Sequence, residues 1–218
     1  MRKKITLIAI PLLLCAPLAT AQEKSVVNNC RVMEGTLCAD MNLNGVDFSG
    51  KNLSNSQFSG ANMEGARLAR TNFTGANLTR TDLRRADLRE TQMLNTDLRA
   101  ANLTKATLAS AIMENANMQN VIGEGADFRK AVIKGADFSG AELRSAMLQD
   151  AQAQRTNFRS ADLSGASLQG ANLEGADFTN ANLRGADLRN ARLDEATFSR
   201  ASMSGCKGCP AEQGKLGR

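Results

Sequence analysis

A period of five constrains this chain more than any other feature. From Leu43, every fifth position up to Met203 belongs to one apolar series, and no insertion displaces it. Of these 33 positions, 31 are Leu, Phe, Met or Ile; the exceptions are Gly123 and Ala153. All 8 phenylalanines of the chain fall in the series, from Phe48 to Phe198. Two residues before each series position stands Ala, or less often Thr, and one residue before it stands most often Asp or Asn. The two residues that follow are mostly polar or Gly. Five matches neither the 3.6-residue turn of a helix nor the two-residue alternation of a strand. On a helix the apolar residues would walk around the axis; on a strand they would change faces at each repeat. A coil with one five-residue unit per side keeps every Leu or Phe pointing inward. The small Ala or Thr then also fits inside, while polar residues and Gly face water and make the turns. Such self-similarity marks a repeat architecture and takes precedence over local propensity.

The three prolines, Pro11, Pro17 and Pro210, all lie outside the repeats. Stacked coils bond one another through backbone N–H groups, and a proline would remove a donor. The unit A-(D/N)-L-x-x, as in Ala76-Asn77-Leu78-Thr79-Arg80 and Ala186-Asp187-Leu188-Arg189-Asn190, resembles the pentapeptide repeat proteins over about Met41 to Gly205. The resemblance implies an all-β fold, a right-handed quadrilateral β-helix with four repeats per coil. It places the Leu/Phe series and the Ala/Thr series inside. Residues twenty apart then stack, giving about eight coils and a rod roughly 40 Å long at the ~4.8 Å spacing of neighbouring strands. One side reads Phe58, Leu78, Leu98, Met118, Phe138, Phe158, Phe178, Phe198. A continuous phenylalanine ladder is expected in its C-terminal half.

The pattern breaks in few places. At Val121-Ile122-Gly123 either a slip or bulge turns Ile122 into the core, or the gap is tolerated. Ala153 leaves a smaller gap, again tolerated or marking a bend. Ile112, Ile122, Val132 and Met147 stand where Asp or Asn is usual. Ile112 and Val132 are twenty apart and should stack, with Leu94 near them on the coil below. This trio is the candidate partner contact, because contiguous exposed apolar surface marks contact sites; isolated surface residues are the alternative. Arg80, Arg99, Arg159 and Arg200 lie beside the phenylalanine side, either as a weakly basic surface or as a solvated face offset by Asp97, Asp137 and Asp177.

The ends differ from the repeats. Arg2, Lys3 and Lys4, the apolar run Ile5 to Leu14 and Ala19-Thr20-Ala21 read as a secretory signal peptide cut after Ala21. A lipoprotein anchored at Cys15 is a weaker alternative, since Leu14 is large where such boxes carry a small residue. Residues 22–40 are expected to form an N-terminal cap, 41–205 the β-helix, and 206–218 a C-terminal cap and tail. Removing the signal leaves 24 basic against 22 acidic residues, a net +2 rather than +5. That balance does not favour a nucleic-acid partner. The mature chain contains no integral membrane segment and is expected in the periplasm or outside the cell. Its four cysteines, Cys30, Cys38, Cys206 and Cys209, suggest one disulfide at each end, tying down the caps.

Chemistry is sparse. The chain has no His, Trp or Tyr, so the usual base of a serine or cysteine hydrolase is missing. No phosphate loop, cofactor motif or metal-ligand set stands out, and every Phe is committed to the core rather than to stacking nucleic-acid bases. The expectation is a non-enzyme without cofactors, a structural or protein-binding module of the bacterial envelope. Its partner is an unknown envelope protein, with a homodimer also open. Two alternatives remain. Cys206-Lys207-Gly208-Cys209 has thiol-exchange spacing, though without the helix and βαβ context that lower a thiol pKa. The resemblance also brings in topoisomerase protection by DNA mimicry, which requires a strongly acidic surface and residence with DNA.

Overall fold

A computed structural model describes residues 26–210. The expected signal segment, with Cys15, and residues 211–218 lie outside them. Val26–Val27 (β1) and Cys30–Arg31 (β2) form an antiparallel hairpin. Its linking residues Asn28 and Asn29 have φ of 49° and 66°. Positive φ at both positions makes the turn whose twist suits a hairpin, and Asn adopts it readily. From Leu37 onward the chain makes single-residue parallel bridges. Each joins a residue to the one 20 further on, with one bridge every five residues, from Leu37↔Gln57 to Asp187↔Lys207. That register gives four sides per turn of the coil.

One unit shows why the coil forms. The Ala76 N–H closes the preceding turn on the Phe73 carbonyl at 2.9 Å. Asn77 donates to Ser56 in the previous coil at 2.8 Å, and Leu78 to Asp97 in the next at 2.7 Å. Arg80 also donates to the next coil, to Arg99 at 2.9 Å. The remaining amide, on Thr79, donates to the Asn77 side-chain Oδ1 at 3.0 Å. Backbone partners thus satisfy four of the five amides whatever the sequence, and the fourth position depends on Asp or Asn two residues earlier. The fifth position is left-handed in every unit, with φ of 55° at Arg80 and 67° at Gly170. A Cβ on Gly170 would come within 2.5 Å of Asp150 Oδ1, so glycine there answers crowding as well as φ.

The core is the inside of the coil. The inward series is at most 1% exposed from Cys38 to Leu188 wherever a side chain fills it. Buried Thr71, Thr96 and Thr156 hydroxyls donate to the Phe48, Phe73 and Ile133 carbonyls at 2.7–2.8 Å, which satisfies a polar group inside an apolar core. The phenylalanine ladder is present. Phe138, Phe158, Phe178 and Phe198 stack with successive centroids 5.4, 5.1 and 5.0 Å apart.

One alternative is decided and one boundary moves. The register does not slip at Gly123: Ile122 bridges Asn102 and Glu142, and its side chain is 36% exposed rather than turned into the core. The reason is that the gap is already filled. Leu143 Cδ2 lies 2.9 Å from where a Gly123 Cβ would stand, and Val121, larger than the usual Ala, is fully buried beside it. Stacking also begins earlier than Met41. Cys38 occupies the inward slot one unit before Leu43 and is completely buried, so part of the segment read as a cap is coil. At the other end Lys207 makes the last bridge. Ala153 is fully buried, and its amide bonds Asn172 in the next coil at 2.8 Å.

Candidate interaction surface

The turn amides separate the sides of the coil. Where Asp or Asn precedes the inward residue, its oxygen caps the amide two residues on, as at Asp137 and Ser139 (3.0 Å) or Asp177 and Thr179 (2.8 Å). The side stacking Asn52, Asn72, Gln92, Ile112, Val132, Gln152 and Asn172 departs from this. Asn52, Asn72 and Asn172 cap Ser54, Thr74 and Glu174. Between them, the amides of Leu94, Glu114, Lys134 and Gln154 have no acceptor among the described residues. This run crosses four consecutive coils. No other side has more than two such amides in succession among the described residues.

The candidate contact residues lie on this run. Ile112 and Val132 are bridged partners on adjacent coils. Ile112 is 38% exposed and Val132 half-buried. Leu94, half-buried, sits at the corner that closes the same side one coil below. Ile122 and Met147 lie on other sides of the coil. Ile112 and Val132 are therefore adjacent, Leu94 belongs to the same side one coil below, and the other two apolar replacements stand on different sides.

An open groove of about 400 Å³ runs along the corner beside Ile112 and Val132. Glu114, Lys134, Gln154, Arg155, Glu174 and Glu195 line it, and Gly135 deepens it by lacking a side chain. Gln154 Oε1 is buried without a hydrogen-bond partner among the described residues. Glu174 pairs with Arg192 at 3.2 Å. Glu114, Lys134, Arg155 and Glu195 make no ion pair among the described residues. The groove could not be read from the repeat. The missing caps could: the signal was four non-Asx residues in one column, spaced by twenty.

Elsewhere, charges are mostly spent locally. Beside the phenylalanine side, Arg99 binds Asp97 at 2.6 Å and Arg159 binds Asp177 at 2.9 Å, so two of the four arginines are offset by aspartates, as the solvated-face reading has it. The hydrogen bond from Arg99 holds the Asp97 carboxyl below its ordinary range. Burial pushes the Asp177 carboxyl up, but hydrogen bonds from Thr179, Thr197 and Arg159 outweigh it and bring the group down to about 2. Arg144 gathers Glu124, Glu142 and Asp162 at 3.4, 3.2 and 3.5 Å.

At the ends, Cys30 joins Cys38 and Cys206 joins Cys209, with Cα–Cα distances of 5.4 and 5.8 Å. Cys30 and Cys38 are fully buried, whereas Cys206 and Cys209 are half-exposed. The latter pair flanks Lys207 and Gly208, whose close approach to the Leu188–Arg189 backbone leaves no room for a Cβ (2.7 Å). No helix adjoins it among the described residues. No group of three or more metal-ligating side chains occurs among the described residues either.

The family model described as pentapeptide repeats (8 copies) matches in overlapping segments, from residues 33–68 through to 171–207. A trypsin-treated variant of QnrB1, described as a plasmid-mediated fluoroquinolone resistance protein, is similar in structure, with a TM-score of 0.65 and 23% identity. That match covers 80% of this chain and 90% of the other. Full-length QnrB1 gives a TM-score of 0.51 at 22% identity, covering 78% and 90%. HetL, a pentapeptide repeat protein of the cyanobacterium Nostoc sp. strain PCC 7120, is 33% identical over 79% of this chain and 87% of its own, with a TM-score of 0.30. No curated protein matches the sequence significantly.

Proposed function

Because the chain belongs to the pentapeptide repeat family, we propose that it is a non-catalytic interaction module of the bacterial envelope. It is exported by a signal peptide cut after Ala21 and forms a right-handed quadrilateral β-helix of about eight coils. It holds an envelope protein along the side that carries Leu94, Ile112 and Val132. Members of this family are generally structural or interaction modules. The observation that carries the reading is the uncapped, apolar run on that side. The exposed apolar atoms are poorly matched to water, and the amides beside them, open to any acceptor, can be met by the carbonyls of a protein surface. The two disulfides fasten the ends of the rod, in keeping with an oxidising compartment.

Two other readings have less support. Thiol exchange at Cys206 and Cys209 would need a thiol of lowered pKa, and no helix terminus stands beside the pair to provide one. The likeness to QnrB1, at 23% identity, speaks to fold; mimicry of DNA needs dense negative charge, whereas the mature chain carries a net +2, 24 basic against 22 acidic residues.

The test is affinity capture from intact envelopes with the tagged, exported chain and its Ile112→Asp/Val132→Asp variant. The proposal expects a defined partner with the parent and its loss with the variant. The same partners with both would place the contact elsewhere, and no partner with either would remove the interaction reading.

A further inference from the structure

We propose that the groove beside Ile112 and Val132 takes an extended polypeptide segment with an acidic residue flanked, two positions away on each side, by basic residues. This deepens the interaction reading and rests on it. The argument begins with charge order. Along the corner the groove presents Glu114, then Lys134 and Arg155, then Glu174 and Glu195. An acid therefore lies at each end, with two cations between them. Lys134 and Arg155 have no ion-pair partner among the described residues, and neither does Glu114 or Glu195, so their charges are free to meet a ligand; Glu174 is shared with Arg192 at 3.2 Å and would be shared again with the ligand.

Spacing selects an extended segment. Neighbouring coils are ~4.8 Å apart, so Glu114 lies about 7 Å from the middle of the cation pair, and Glu174 about 7 Å beyond it. Alternate side chains of an extended strand, which share one face, recur about every 6.7 Å. A basic-x-acidic-x-basic strand thus puts each charge opposite its complement. A helix would not, because same-face residues three or four apart rise only about 5 Å.

The polar groups match a peptide backbone. The Glu114, Lys134 and Gln154 amides lack acceptors among the described residues, and a peptide carbonyl would supply one where it passes. Gln154 Oε1 is buried and lacks a donor, and a peptide N–H would supply one. Ile112 and Val132 lie two residues before Glu114 and Lys134 on the side that the groove's corner closes. Main-chain bonds would provide affinity and the charge bands specificity, the division of labour in strand-like peptide recognition.

Fluorescence anisotropy tests this with the exported chain and two labelled probes, Lys-Val-Glu-Val-Lys and its charge reversal Glu-Val-Lys-Val-Glu. The first should bind on the order of tenfold more tightly than the second. In a Lys134→Glu/Arg155→Glu variant, whose circular dichroism should be unchanged because neither side chain bonds another among the described residues, that preference should vanish or reverse. Equal affinity for both probes, no binding of either, or an unaltered preference in the variant would overturn the inference. If envelope capture through Ile112 and Val132 survives such a failure, the module reading stands and only the ligand assignment falls; failure of both removes both.

Discussion

At the scale of the residue, the informative positions are those where an ordinary side chain is missing. Gly123 stands where 31 of 33 units have a large apolar residue, yet the core has no room to spare. Leu143 leans into the space, with Cδ2 2.9 Å from a would-be Cβ, and Ala126 Cβ stands 3.8 Å from it. Restoring the common residue therefore harms the protein. Gly123→Leu is expected to destabilise by about 1–3 kcal/mol, the range for overpacking a filled core. Urea unfolding would detect it as a lower midpoint with an unchanged slope. A higher midpoint would mean that the gap is real. The sequence shows the position as an exception but cannot show its filling, because Leu143 comes from the next coil. Cys38 was obscured for a related reason. It is a disulfide cysteine, and it also occupies an inward slot of the series.

At the scale of the element, the repeat is a closed account of five amides in which one depends on the side chain. That dependence explains the preference for Asp and Asn better than surface polarity does, since lysine would be as soluble and could not cap. It also predicts that the apolar pair costs stability. Ile112→Asn/Val132→Asn would restore caps for Glu114 and Lys134. A net hydrogen bond contributes about 1 kcal/mol, so the variant should unfold at higher denaturant concentration while losing its envelope partner. A less stable variant would show that Ile112 and Val132 serve packing instead. Stacking by twenty and the phenylalanine ladder were legible in advance because an uninterrupted period fixes both. The hairpin Val26–Arg31 and the groove were not. The hairpin rests on two adjacent asparagines with positive φ, and the groove on corners that the repeat leaves variable.

At the scale of the whole molecule, the rod is a sum of like coils, each supported by its neighbours. Several of its aspartates are alike in one respect. Asp82, Asp87 and Asp97, bonded first by arginine, and Asp127, Asp137 and Asp162, whose hydrogen bonds outweigh burial, all lie below their ordinary value. Asp177 reaches about 2 from 3.8. A group lowered on folding adds stability that is complete above its unfolded value and is lost as pH falls through its folded value. The melting temperature should therefore be level well above 3.8 and fall progressively from there toward about 2. Thermal melts across that range would check it, and a melting temperature that rises on acidification would contradict it.

The same scale separates the regular body, which holds the rod together, from the interrupted side, which meets the partner. Hydrogen–deuterium exchange of the exported chain, alone and with its captured partner, tests that division most directly. Slowed exchange at the amides of Leu94, Glu114, Lys134 and Gln154, with the Asx-capped turn amides of the opposite sides unchanged, is the predicted result. Slowing at Ser139, Arg159 and Thr179 instead, with those four amides unaffected, would contradict it.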